Sequence, residues 1–236
     1  MTYLPAIEVN PTQTATASII WLHGLGASGN DFAGLVPELN KMLGHSDGNH
    51  NSIRYVFPHA AEIPVTINGG FSMPAWYDIL SIPTASTSSG ERSLNQDQFL
   101  SSVRDIQNLI DREIERGIKS ENILVLGFSQ GGSVAYYSAL TYPKTLAGVA
   151  GLSTYFPLLT PADTFMPSKD NQGIDIQIFH GEHDPVVTER LGIKAKEDLS
   201  NLDYSTQYRH YPMEHQVCFE EIRDIAIWIQ EKLLKK

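Results

Sequence analysis

The chain has 236 residues, 42% of them hydrophobic, and a net charge of −10, which suits a single α/β domain over residues 1–236. With no cluster of Lys or Arg to offset that charge, a nucleic-acid backbone is repelled, and nucleic acid is excluded as a partner. One cysteine, Cys218, excludes an internal disulfide; with no leader-like start and only strand-sized apolar runs, the expectation is a soluble, cytoplasmic protein without stable membrane insertion.

The first element is an apolar strand, Ser18–Leu22, followed by the glycine-rich run His23-Gly24-Leu25-Gly26-Ala27-Ser28-Gly29. Such a loop after an early strand can donate a backbone N–H to an oxyanion, and Leu25 is the candidate donor. Gly24, Gly26 and Gly29 also fit the Gly-x-Gly-x-x-Gly dinucleotide fingerprint, so a dinucleotide-binding oxidoreductase is a rival reading. That reading needs an acidic residue closing the second strand. The next strand, Arg54–Phe57, ends instead in Pro58-His59.

Residues 159–173 have Pro, Ser, Asp and Asn but no periodicity and, like residues 44–51, read as a surface loop, and the low-complexity run Thr84–Gly90 as a solvated one. Phe99, Val103, Ile106, Ile110 and Ile114 then recur at spacings of four and three, which predicts a helix packed on a sheet and stopped at Gly117. An apolar run ending in Leu124-Val125-Leu126 leads into Gly127-Phe128-Ser129-Gln130-Gly131, and a helical stretch follows from Ser133 to Leu140. Gly-x-Ser-x-Gly between a strand and a helix marks a sharp turn that exposes a nucleophilic serine, with the next N–H, that of Gln130, as a second oxyanion donor.

The pentapeptide alone arises by chance in roughly one chain in ten of this length, so the downstream residues decide. A serine hydroxyl needs a general base, and the base needs an acid to hold its tautomer; with this elbow the chain order is Ser, Asp or Glu, then His. The strand Ile174–Phe179 runs into His180-Gly181-Glu182-His183-Asp184-Pro185, with a helix from about Thr188. Asp184 is the candidate acid and Glu182 its rival. A strand over Ser205–Tyr211 then leads to Pro212-Met213-Glu214-His215 and a C-terminal amphipathic helix. His215 is the candidate base, with His210 as the rival inside the strand.

Taken together, the segments His23–Phe32, Phe57–Ala60 with Pro64–Asn68, Met73–Asp78, Gly127–Gly132 and His180–Pro185, and His215 with Cys218 after it, resemble the phospholipase/carboxylesterase family, which includes the acyl-protein thioesterases. The resemblance runs from about Ser18 to the C-terminal helix. It implies an α/β-hydrolase fold, a mostly parallel central sheet with helices on both faces. It further implies a Ser129, Asp184, His215 triad, oxyanion donors at Leu25 and Gln130, and an acyl groove formed by Leu25, Phe71, Met73, Tyr155 and Val186. The implied substrates are small-molecule or lipid acyl esters and S-acylated proteins, with no metal or cofactor; a homodimer is compatible with this reading. Asn68-Gly69-Gly70-Phe71 departs from the family pattern by placing two glycines where relatives carry bulkier residues. A hydrolase fold acting only as a binding module is the third alternative, against which the intact order of the triad argues. Cys218 reads as a small buried apolar residue.

Overall fold

The computed structural model describes residues 3–44, 52–82, 92–159 and 165–234. In chain order these form β1 (Ala6–Val9), β2 (Ala17–Leu22), the short helix α1 (Asn30–Ala33), α2 (Val36–Met42) and β3 (Ile53–Pro58). Two small antiparallel ladders come next, β4 (Glu62–Val65) with β5 (Phe71–Pro74), and β6 (Ile79–Ser81) with β7 (Ser93–Leu94). The second half alternates α3 (Gln96–Glu115), β8 (Ile123–Phe128), α4 (Gln130–Leu140), β9 (Gly148–Leu152), β10 (Ile176–Gly181), α5 (Glu189–Asn201), β11 (Thr206–Tyr211) and α6 (Phe219–Ile229).

Seven strands make one sheet in the order β1-β3-β2-β8-β9-β10-β11. All neighbours are parallel except β1, which runs antiparallel to β3 at the edge. Parallel strands covered on both faces are apolar throughout, as the wholly buried β2 is. Alternate side chains enter opposite cores. Ile20 and Leu22 join the core under α3, α4 and α5, whereas Ile19 and Trp21 join Phe32, Val36 and Leu39 of α1 and α2 and Ile222 of α6. The result is the doubly wound α/β-hydrolase architecture.

The helix expected around Phe99–Ile114 is α3. The Asn95 side chain caps it by accepting the Gln98 N–H at 3.2 Å, and Gly117 beyond its end takes a left-handed φ of 95°. Of the three loops read from composition, Thr84–Gly90 and all but Gly44 of 44–51 lie outside the described residues. The third is more than a surface loop. Phe165 packs edge-on against Tyr137 and Phe156, and the buried Asn171 side chain donates to the Tyr142 and Lys144 carbonyls and accepts the Leu146 N–H. Its polar composition hid this anchorage, because a buried Asn that satisfies three backbone groups looks like any turn residue in the sequence. Cys218 is half-buried at the N-cap of α6, not enclosed. Among the described residues no helix is long and apolar enough to cross a membrane.

Candidate active site

The C-terminal ends of the parallel strands carry the site. Ser129 sits between β8 and α4 at φ 51° and ψ −122°, a region that costs a non-glycine residue about 1–3 kcal/mol. Packing enforces it. The Ser129 N–H donates to the Leu152 carbonyl at 2.8 Å, and the Ser129 carbonyl accepts the Thr154 hydroxyl at 2.6 Å. A Cβ at position 127 would collide with the Gly131 backbone, and one at 131 with the His23 carbonyl. Both pentapeptide glycines are therefore required for the strand and helix to meet. Gly127→Ala is expected to cost about 1–3 kcal/mol of stability as the backbone is forced apart, measurable by denaturant unfolding; an unchanged midpoint would refute this close-packing account.

The three expected side chains come together across 86 residues of sequence. His215, on the loop between β11 and α6, lies 2.9 Å from the Ser129 hydroxyl through Nε2 and 2.6 Å from Asp184 Oδ2 through Nδ1. A carboxylate only accepts, so Nδ1 carries the proton and Nε2 is left to accept from the serine. The second Asp184 oxygen accepts the N–H groups of Val186 and Val187, each at 2.8 Å. Burial opposes ionisation of Asp184, but the bond to His215 and these N–H donors outweigh it and hold its pKa below the usual carboxylate range. The two loops are stitched together, Glu182 N–H to the Tyr211 carbonyl and His183 N–H to the Met213 carbonyl. The Phe128 ring packs on the imidazole at 4.8 Å between centroids, which further limits its orientation.

The rivals lie elsewhere. His210 pairs through Nδ1 with Glu189 at 2.8 Å and is 3.8 Å from Glu182, in an exposed cluster separate from the serine.

On the other side of Ser129, the glycine-rich loop is pinned by the buried His23. Its Nε2 accepts the Ala60 N–H at 3.1 Å, so Nδ1 carries the proton and donates to the Gly24 carbonyl at 2.7 Å; burial lowers its pKa and keeps it neutral. Gly26 N–H is taken by the Pro74 carbonyl and Ala27 N–H by that of Gly24. Among the described residues neither Leu25 nor Gln130 spends its N–H on a backbone carbonyl outside the regular elements, and a helix's first N–H groups have no partner inside it. The run leads into the four-residue α1, whereas a dinucleotide fold needs a full helix whose N-terminus faces the pyrophosphate.

These groups border a cleft of about 440 Å³. Leu25, Tyr155 and Val186 of the expected acyl groove line it; Phe71 and Met73 do not. The β4–β5 hairpin turns Phe71 outward, leaving it 74% exposed, and Met73 lies beside Gly26 with its sulfur taking the Asn68 amide at 3.2 Å. Ile67, Ile79, Ile82 and Arg92 also line the cleft. Sequence reasoning missed them because short ladders and the turn at Thr66–Asn68 bring them in, and no local pattern reports that. The Gln130 side chain was missed as well. It accepts the Trp76 N–H at 2.8 Å and donates to the Tyr77 carbonyl at 2.7 Å, tying the wall to the elbow.

Residues 5–233 match the family model described as phospholipase/carboxylesterase. The chain is 34% identical over 233 residues to acyl-protein thioesterase 1 of Neurospora crassa, covering 98% of this chain and 93% of that one. It is 32% identical over 229 residues to acyl-protein thioesterase 1 of Saccharomyces cerevisiae, covering 94% and 95%. The crystal structure of Zea mays acyl-protein thioesterase 2 superposes with a TM-score of 0.77 at 26% identity, covering 98% of this chain and all of that one.

Proposed function

This chain belongs to the phospholipase/carboxylesterase family, and from that premise we propose that it hydrolyses carboxylic esters and thioesters through Ser129, His215 and Asp184 by way of an acyl-enzyme. That it is a hydrolase acting on ester bonds follows from family membership and from full-length similarity to acyl-protein thioesterases. The observation that carries the finer reading is the unbroken hydrogen-bonded line from Asp184 through His215 to Ser129.

His215 Nε2 removes the hydroxyl proton as Ser129 Oγ attacks the carbonyl carbon, and the ionised Asp184 stabilises the imidazolium that forms. The N–H groups of Leu25 and Gln130 hold the oxyanion. When the tetrahedral intermediate collapses, the imidazolium gives its proton to the departing alkoxide or thiolate, leaving the acyl group on Oγ. A water molecule, deprotonated by the same imidazole, then attacks the acyl carbonyl and releases the acid. The apolar side of the cleft, Leu25, Ile67, Ile79 and Ile82, takes the acyl chain; its substrates are acylated small molecules, lipids or S-acylated proteins.

A fluorophosphonate probe tests this reading, because the activated serine displaces fluoride and keeps the phosphonyl group. One equivalent is expected on the peptide containing Ser129, located by mass spectrometry. Labelling at another residue, or none under conditions where the protein is folded, would overturn it.

A further inference from the structure

The cleft wall contains one feature that ester hydrolysis by the triad does not use. Arg92, at the entry to β7, lines the same space as Ser129 and His215 among largely apolar residues. The Arg92 Nη2 donates to the Val186 carbonyl, and its guanidinium carbon stands 5.1 Å from the centroid of the Tyr155 ring. The head group is therefore held from two sides, by the loop that follows Asp184 and by an aromatic face. Among the described residues no carboxylate forms an ion pair with it, and its Nε–H is shielded from solvent with no hydrogen-bond partner among them.

A shielded cationic N–H without an acceptor is costly, and a ligand that supplies the acceptor would relieve that cost. A guanidinium fits the oxygens of a carboxylate or phosphate in a way that neutral groups cannot match. In a chain of net charge −10, a cation fixed inside the cleft is also the local exception that lets an anion approach. Among the described residues Asp31 is the only carboxylate that lines the cleft with it, and its charge works against an anion there.

Building on the hydrolase reading above, we propose that Arg92 is a specificity-determining residue that selects esters or thioesters carrying an anionic group, a carboxylate or phosphate, on the acyl chain or on the leaving group.

The test compares wild type, Arg92→Gln and Arg92→Lys on two matched pairs of substrates. For the acyl side the pair is p-nitrophenyl monoglutarate against p-nitrophenyl butyrate; for the leaving-group side it is a lysophosphatidate against the monoacylglycerol with the same chain. The quantity read is the ratio of kcat/KM for the anionic to the neutral member. In Arg92→Gln this ratio is expected to fall by about tenfold to a hundredfold in one arm, the scale of a lost hydrogen bond to a charged group, mainly through KM. The arm that moves locates the anion. Arg92→Lys, which keeps the charge and loses the planar fork, is expected to fall in between, and added salt to erode the wild-type preference. Ratios that stay the same in both arms, with wild type active, overturn the inference about Arg92 alone. Wild type inactive on all four esters overturns the hydrolase reading and this inference with it. If Arg92→Gln does not fold, Arg92→Lys and the salt dependence of the wild-type ratios decide: no change in either refutes the proposal.

Discussion

Replacing Ser129 with alanine is expected to lower kcat for a p-nitrophenyl ester by about 10⁴-fold or more, with the protein still folded. Among the described residues the hydroxyl's hydrogen bond is to His215, which is partly open to solvent, so its removal strands no fully buried group there. The strained backbone is held by bonds from Leu152 and Thr154 that do not involve the side chain. His215→Ala is expected to lose a similar factor, and the double variant no more than either single one, because the proton acceptor and the nucleophile act as a unit. Matching thermal melts are the control for folding. More than about a tenth of the activity left in Ser129→Ala would point to a different nucleophile.

The second large effect concerns stability and lies away from the site. Glu221, in the first turn of α6, is fully buried, and burial pushes its pKa up to about 8 against the weaker opposing pull of the Cys218 backbone N–H at the helix N-cap. Unfolded, the same group titrates as an ordinary glutamate near 4.3. Between those two values the folded chain holds a proton that the unfolded chain has lost, so stability falls as pH rises through that window and levels off above it. At 1.36 kcal/mol per pH unit, the linked loss by about pH 8.5 is on the order of 4–5 kcal/mol. Glu221→Gln keeps the shape and removes the titration. It is expected to exceed wild type by only about 1 kcal/mol near pH 5 and by several kcal/mol at pH 8.5, roughly 10 °C or more in Tm for a chain of this size. Parallel Tm curves from pH 5 to 8.5 would rule out the assignment. Asp184 has the opposite sign: its depressed pKa stabilises the fold above the usual carboxylate range and ceases to do so as pH falls through the lower folded value. The two effects therefore occupy different pH windows.

What could be read from the sequence follows from which interactions are local. The alternating strands and the spacing of Phe99 to Ile114 report burial directly, and the positions of Ser129, Asp184 and His215 after strands that end at one edge of the sheet follow from topology. Other features depend on distant partners. β9 carries two glycines in Gly148–Leu152, a weak strand signal, and the space at Gly151 is filled by the Tyr136 side chain. The outward turn of Phe71 and the inward reach of Arg92 are set by ladders of two to four residues, too short to leave a periodic trace. Motif position alone thus assigned Phe71 to the groove, and the fold moved it out.

The amide of Gln130 has an implication for what this polypeptide can tolerate at the second variable position of its pentapeptide. A donor and an acceptor are needed there at once, one for the Tyr77 carbonyl and one for the Trp76 N–H. An ionised carboxylate has no hydrogen to give and an aliphatic group has neither. Position 130 is thus constrained by the architecture around it even though its side chain takes no part in the chemistry, and a substitution there would slacken the cleft wall and misalign the adjoining N–H in one stroke.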